Sequence, residues 1–173
     1  MACEQHIVNS IASTDYVDCV VSAVSGTLQN KIYNTYIRDE RSSGTSAGSP
    51  ASGWNTRVLN TVVFDETGVV SLSSNQFTLP AGTYFINAAS YISQSNGHRL
   101  RLRNITDSTT TLLGLSLGGG GLYFDLLSGK FTIVESKTFA IQYYSSGTTG
   151  SLGVPVSTGD VEIYAEVHLQ KVT

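Results

Sequence analysis

The stretch FTLPAGTYFINAASYI, Phe77 to Ile92, decides the fold class of this chain, because it has the pattern of a strand, a turn and a strand without one charged residue. A turn at Pro80-Ala81-Gly82 separates two runs rich in β-branched and aromatic residues, which favour strands. After the turn, side chains alternate between two uncharged sets: Tyr84, Ile86, Ala88, Ser90 and Ile92, and Phe85, Asn87, Ala89 and Tyr91. This pattern predicts a central strand of a two-sheet sandwich, covered on one face by the other sheet. The second face must be covered too, and another subunit or a large monomeric core are the two alternatives.

Length and composition point to one β-rich domain. The chain has 173 residues, enough for one domain or for a domain with a short appendage, and it contains 17 glycines. The net charge is -3 and 13% of the residues are charged, which argues against nucleic acid and anionic membranes as partners, since both attract basic surfaces. No apolar run approaches the ~20 residues of a membrane helix, so no membrane insertion is expected. The first residues lack the pattern of a secretory signal.

From Lys31 onward the pattern predicts roughly nine or ten short strands. KIYNTYIRDE (residues 31–40) is the first, WNTRVLNTVVF (54–64) is another, and a glycine hinge at Gly118–Gly121 precedes the strand GKFTIV (129–134). The final strand is expected to present one apolar face made of Val161, Ile163, Ala165, Val167 and Leu169. Short strands at this spacing predict an all-β sandwich of jelly-roll type.

Residues 1–30 differ from the rest and are predicted to form an N-terminal attachment segment, followed by a jelly-roll domain at 31–173. Helix and strand both remain open for this segment, because its apolar stripe has near-helical spacing but consists of β-branched residues. The expected attachment residues are Ile7, Ile11, Val17, Val20, Val21 and Val24. Cys3 and Cys19 are expected to be reduced thiols, although a bond between them stays open. A C-x-x-H spacing at Cys3 and His6 has no second pair, so no metal site is predicted.

The chain resembles the complement/tumour-necrosis-factor (TNF) type of jelly roll, as found in trimeric phage fibre and tail proteins. The stretches that carry the resemblance together cover roughly residues 54–172. They are VVFDETGVVSLSSNQFTLPAGTYFINAASYI, RLRLRNITDSTTTLLG, SGKFTIVESKTFAIQYY and DVEIYAEVHLQKV. The resemblance implies a homotrimer with apolar strands packed near the axis, and it supplies no binding-site residues. Together with the alternating pattern, it suggests the residues of the trimer interface or core: Tyr84, Ile86, Ala88, Ala89 and Tyr91.

The stretch HRLRLRNIT places three arginines on one strand face, Arg99, Arg101 and Arg103. They are candidates for a receptor or inter-subunit contact, because guanidinium groups pair with the carboxylates or phosphates of anionic sugars on a host surface. The alternative is a solvated face, or salt bridges to carboxylates such as Glu162 and Glu166, either nearby in the same chain or in a neighbouring subunit. Three tyrosines near loops are candidates for stacking on sugar rings or, equally, ordinary sandwich-edge residues: Tyr123, Tyr143 and Tyr144.

No pattern in the sequence predicts catalysis. G-x-S-x-G occurs around Ser46 and Ser116, but neither match has the strand-turn-helix context of a hydrolase elbow. The histidines His6, His98 and His168 are scattered and are expected to be structural. The paired carboxylates Asp39-Glu40 and Asp65-Glu66 stand beside predicted turns and are expected to be solvated. No cofactor is predicted.

The resulting hypothesis is a non-enzymatic bacteriophage virion protein, a trimeric jelly-roll knob of a short fibre or spike that contacts the host surface. Its partners would be two further copies of the chain, other virion proteins bound through residues 1–30, and a host-surface glycan. It would be made in the host cytoplasm and lie on the virion surface. One alternative is a capsid decoration protein that stabilises the shell. A second alternative is a secreted bacterial carbohydrate-binding module, against which the missing signal counts.

Overall fold

Two antiparallel sheets form the fold in the computed structural model, which describes residues 31–68, 70–93, 97–119 and 121–172. The expected attachment residues, both cysteines and His6 therefore lie outside the described residues. The strands are β1 Ile32–Arg41, β2 Gly53–Thr56, β3 Thr61–Asp65, β4 Ser71–Ser73, β5 Gln76–Leu79, β6 Gly82–Ser93, β7 Gly97–Asn104, β8 Thr109–Leu113, β9 Leu117–Gly118, β10 Leu122–Ile133, β11 Lys137–Ser145 and β12 Glu162–Val172.

The sheets have the strand orders of a jelly-roll sandwich. The five-stranded sheet runs β10-β6-β12-β1-β3, and the seven-stranded sheet runs β4-β5-β11-β7-β8, with β2 beside β11 and β9 beside β7. Consecutive strands thus alternate between sheets at several points, so most contacts join distant parts of the sequence. The predicted jelly-roll fold class is confirmed.

The turn at Pro80–Gly82 carries the chain from one sheet to the other. β5 pairs with β4 and β11 in the seven-stranded sheet, whereas β6 pairs with β10 and β12 in the five-stranded sheet. The hydroxyl of Tyr84 donates to the carbonyl oxygen of Pro80 at 2.7 Å, which ties the new strand to the turn. The stretch Phe77 to Ile92 is therefore a crossover between sheets, not a hairpin.

An aromatic cluster fills one end of the space between the sheets. Phe131 lies 5.5 Å from Tyr84 and 5.3 Å from Phe139, measured between ring centroids, and Phe139 stacks on Phe77. These rings are buried because inward side chains of both sheets interdigitate. The remaining core is aliphatic and includes Ile37, Ile86, Leu100, Leu102, Leu127, Val167 and Leu169.

Two predicted strand boundaries are wrong. The stretch WNTRVLNTVVF is divided between β2 and β3, which belong to different sheets, because the segment between them crosses the sandwich. There the N–H of Arg57 bonds to Ile141 and that of Asn60 to Arg38. The predicted glycine hinge at Gly118–Gly121 begins with the last residue of β9 and ends immediately before β10. That strand starts at Leu122, seven residues before the predicted strand.

The predicted apolar face of the last strand is also wrong. Ala165, Val167 and Leu169 are buried, but Val161 and Ile163 are 49% and 43% exposed. The register of β12 against β1 shifts between Asp39 and Glu40, so that one extra residue of β12 stands opposite the shift. A bulge of this kind reverses the side-chain alternation, which period-two counting cannot detect.

Candidate functional site

The outward face of the five-stranded sheet carries large apolar side chains. Phe124 and Leu126 on β10 are 69% and 51% exposed, and Phe85 on β6 is 41% exposed. Phe124 packs edge-on against Tyr91, with 6.1 Å between ring centroids. We define the apolar face by six residues, none of them charged: Phe85, Ala89, Tyr91, Phe124, Leu126 and Ile163. Contiguous apolar surface of this kind is typical of a protein interface.

Strand register produces the apolar face. Ala89 stands opposite Leu126 on one side and Glu166 on the other, and Tyr91 stands opposite Phe124. Because Ala89 is small, the surface sinks between its larger neighbours. One depression of about 310 Å³ is lined by Ala89, Tyr91, Phe124 and Ile163. A second, of about 260 Å³, is lined by Asn87, Ala89, Leu126, Glu166 and His168. Such depressions can receive side chains of a partner.

A polar cluster continues the same outward face across β12 and β1. The hydroxyl of Tyr36 donates to Oε2 of Glu166 at 2.7 Å, and its ring stacks on His168 with 4.0 Å between centroids. Burial and the hydrogen bond to Glu166 raise the pKa of the Tyr36 hydroxyl. Arg38 stands opposite Glu166 on the neighbouring strand, and its guanidinium forms a salt bridge with Glu40 at 2.8 Å. The cluster therefore satisfies many of its charges internally.

The outward face of the seven-stranded sheet carries the predicted arginine row. Arg99 donates to the carbonyl oxygen of Gly114 at 2.8 Å, and Arg101 donates through Nε to the amide oxygen of Gln142 at 2.8 Å. Salt bridges to Glu162 and Glu166 do not form within one chain, because both glutamates belong to β12 of the other sheet. The alternative that these glutamates pair with the arginines of a neighbouring subunit stays a prediction. Of the three tyrosines, Tyr143 is buried and Tyr144 is partly exposed, while nothing is described for the side chain of Tyr123.

The expectation that Asp39 is solvated is wrong. Its side chain is fully buried, with Oδ1 2.8 Å from Nε of Arg41 and Oδ2 3.8 Å from a terminal nitrogen of Arg57. Burial lowers the pKa of Arg57 to about 10 and the charge of Asp39 opposes that shift, so Arg57 stays cationic at neutral pH. The ion pair compensates charge that would otherwise be costly inside the sandwich.

Two other carboxylates organise loops. Glu162 accepts hydrogen bonds from the N–H groups of Gly44, Val156 and Ser157, joining two loops at one end of the sandwich. Asp65 accepts hydrogen bonds from Thr35, Thr67 and Val70 at the turn after β3, so it is engaged rather than solvated. Neither arrangement leaves a carboxylate pair free for acid-base chemistry.

His98 and Asp125 form a buried pair across the two sheets. Nδ1 of His98 on β7 lies 2.5 Å from Oδ1 of Asp125 on β10, and both side chains are almost inaccessible. Burial raises the pKa of Asp125, although the hydrogen bond from His98 opposes the shift. The pair therefore links the sheets within the core rather than facing a surface.

Neither serine of the G-x-S-x-G matches has the surroundings of a nucleophile. The hydroxyl of Ser46 donates to the carbonyl oxygen of Gly153 at 2.9 Å and accepts from the N–H of Gly48. Ser116 is exposed between β8 and β9. The glycine that begins its motif, Gly114, has a packing role, because a Cβ there would lie 2.4 Å from the carbonyl oxygen of Leu126.

Within the described ranges, no three His, Cys, Asp or Glu side chains lie close enough together to hold a metal ion. No helix in the same ranges is long and apolar enough to cross a membrane.

The predicted interface-or-core residues divide between two environments. Tyr84, Ile86 and Ala88 are buried between the sheets, whereas Ala89 and Tyr91 point outward onto the apolar face. Sequence reasoning missed Phe124 and Leu126, although the alternation of Leu122, Phe124 and Leu126 is a signal that could have identified them. Trp54, which lies beside the arginine row, was also missed.

The sequence matches no protein-family model and no curated protein sequence. Solved structures nevertheless share the fold. The crystal structure of murine APRIL at pH 8.0 has a TM-score of 0.56 at 7% identity, covering 82% of this chain and 99% of that one. Eiger TNF from S. frugiperda has a TM-score of 0.57 at 11% identity, covering 83% and 94% respectively. This chain has the TNF-type jelly-roll fold. At such identities the likeness extends to the fold alone.

Proposed function

We propose that this chain is a non-enzymatic jelly-roll domain that assembles as a homotrimer through its apolar face and presents its other surfaces to a partner. The observation that carries the proposal is the exposure of Phe124 and Leu126 around the small Ala89. Burial of apolar area stabilises an assembly by about 25 cal/mol per Å². Association of three copies through this face would therefore be favoured by the apolar area that it removes from water.

The resemblance to TNF-type jelly rolls supports a trimer over another closed assembly, and the layout of the face is compatible with it. The apolar face and the polar cluster are neighbours on one sheet, joined at Glu166 and His168. Closed cyclic assemblies place equivalent patches around one axis, where both regions can be covered at once.

The biological role proposed for the trimer is the knob of a short phage fibre or spike, attached to other virion proteins through residues 1–30. The resemblance of residues 54–172 to phage fibre and tail proteins supports this role. A non-enzymatic role is supported by Ser46. Its hydroxyl forms hydrogen bonds with backbone groups of Gly153 and Gly48 rather than with a side chain that could act as a general base.

Mass spectrometry and immunogold labelling of purified particles test the role. The chain should be present in the particles and should label the tail or a fibre. Label distributed over the head would favour the capsid decoration alternative. A chain that is absent from particles and found in the culture medium without them would contradict a virion role and favour the secreted carbohydrate-binding alternative.

A further inference from the structure

Two aromatic rings border the arginine row on the outward face of the seven-stranded sheet. Trp54 on β2 stands opposite Tyr144 on β11, and Tyr144 stands opposite Arg99 on β7. The two rings meet edge to face with 5.5 Å between centroids, and each residue is 36% exposed. A partly open aromatic pair thus lies directly beside Arg99 and Arg101, with Arg103 further along the same row.

Arg101 is held rigidly at the centre of this surface. Its guanidinium carbon lies 4.0 Å from the centroid of the Trp54 ring. Its Nε and one terminal nitrogen donate to the amide oxygen of Gln142, at 2.8 and 2.6 Å, and the other terminal nitrogen donates to the hydroxyl of Thr110 at 3.3 Å. The three groups that contact the guanidinium, namely the Trp54 ring, the Gln142 amide and the Thr110 hydroxyl, are all neutral. They fix the position of the cation without neutralising its charge.

The neighbouring arginines add charge without an internal anion. Among the described residues, no carboxylate lies within ion-pair distance of Arg99, Arg101 or Arg103. Burial lowers the pKa of Arg101, and the charge of Arg103 lowers it further. Alternate residues of a strand are about 6.6 Å apart, so the row presents three guanidinium groups at regular intervals. An external anion would relieve their mutual repulsion.

We infer that Trp54, Gln142, Tyr144 and the arginines of β7, here called the arginine face, bind a carboxylated polysaccharide. Guanidinium forks on Arg99 and Arg103 pair with successive carboxylates. The Trp54 and Tyr144 rings contact the apolar sides of the sugar rings. Gln142 keeps the Arg101 guanidinium in place, and the hydroxyl of Thr110, which accepts from Arg101, can donate to a sugar hydroxyl.

A polysaccharide fits the charge balance of the protein better than a nucleic acid does. The chain carries a net charge of -3, and its positive charge on this sheet is concentrated in a single short row. Nucleic acids carry a charge on every phosphate and are bound by extended basic surfaces. A sugar chain with more widely spaced carboxylates requires only a few cations and gains from the aromatic contacts.

Trp54 is the only tryptophan of the chain, so its fluorescence reports on this surface directly. Polygalacturonate should change the Trp54 emission saturably, while its fully methyl-esterified form, which has the same sugar backbone without the charge, should have at least tenfold weaker effect. About 1 M NaCl should abolish the change, because the Debye length falls to about 3 Å. No saturable change with polygalacturonate would overturn the inference.

Arg103→Gln is the informative variant, because no hydrogen bond or ion pair among the described residues depends on that guanidinium. Losing one charge-assisted contact should weaken binding about tenfold or more. Lys130→Gln removes the same charge from the other sheet and should leave binding unchanged. Equal weakening by both variants would overturn the inference, since it would reflect net charge alone.

Single-stranded oligo-dT is the competing probe. Binding of oligo-dT as tight as that of polygalacturonate, lost in Arg103→Gln, would show a nucleic-acid surface and overturn the inference. The inference rests on the proposed surface-presenting role but not on the trimer. A monomer that still binds polygalacturonate would refute the trimer alone, and a trimer that does not bind would refute the arginine face alone.

Discussion

Ala88 and Ala89 are consecutive residues whose side chains lie on opposite faces of the five-stranded sheet. Ala88 is buried between the sheets, with Leu127 and Val167 opposite it on the neighbouring strands. Ala89 lies on the apolar face, with Leu126 and Glu166 opposite it. The same substitution at these two positions therefore separates the folding of the domain from its assembly.

Ala88→Glu should prevent folding, because an unpaired charge in the core costs several kcal/mol. Ala89→Glu should fold normally and remain monomeric. The new carboxylate would be buried beside Glu166 at every subunit contact of the proposed trimer. Circular dichroism checks the fold and sedimentation velocity checks the assembly. A folded, fully assembled Ala89→Glu protein would show that the apolar face does not form the interface.

Glu162 should confer acid-sensitive stability. Hydrogen bonds from the N–H groups of Ser157, Val156 and Gly44 hold the pKa of its carboxyl below its ordinary value. The resulting stabilisation is present above the ordinary glutamate pKa and is lost as the pH falls through the lowered folded-state value.

The urea midpoint measured from about pH 6 down to about pH 3 tests the contribution of Glu162. Glu162→Gln should be less stable at the upper end and should lose less stability on acidification than the parent protein. Asp160→Asn, a change at an exposed carboxylate in the preceding loop, is the control and should follow the parent curve. Parallel curves for Glu162→Gln and the parent protein would refute the assignment.

The buried pair of His98 and Asp125 should couple the two sheets energetically. Asp125→Asn and His98→Gln should each lower the free energy of unfolding by about 3 kcal/mol, because each disrupts a hydrogen-bonded pair buried between the sheets. The double variant should cost much less than the sum of the single variants. Urea denaturation of all four proteins gives the coupling energy, and strictly additive losses would mean that the two side chains act independently.

Removal of residues 1–30 should leave a folded jelly roll that assembles but no longer joins the virion. The segment Ile32–Val172 forms a compact unit, and β1 begins only at Ile32, so the truncation keeps every strand found in the part of the chain that the structure describes. Sedimentation and particle co-purification measure the two properties. If the truncated chain fails to fold, residues 1–30 belong to the domain, and attachment must be sought in the Arg41–Gly53 loop or at Gly118–Gly121.

The fold class could be predicted from the sequence because the strongest local patterns agree with the tertiary structure. The alternation in β6 and β7 gives the correct inward and outward sets, since both strands are regular along the residues concerned. Pairing partners could not be predicted. Arg101 contacts Gln142 and Trp54, which lie 41 and 47 positions away, and no local pattern specifies such contacts.

The apolar face was only partly predictable, for two physical reasons. Asp125 occupies an inward position of β10, so a carboxylate interrupts the apolar pattern that would have marked the strand. The hydrogen bond with His98 lets a carboxylate be buried at that position. His98 lies 27 positions away in the sequence, so no local pattern reveals the pairing. In β12 the bulge turns Ile163 outward, and the sequence around it shows an unbroken alternation.

Sedimentation equilibrium of the intact chain at low concentration tests the central proposal, that the apolar face assembles three copies. Assembly through the apolar face should give a single species of about three times the 18.4 kDa chain mass, and Ala89→Glu should convert it to monomer. A parent protein that sediments as an 18.4 kDa monomer throughout the micromolar range would contradict it.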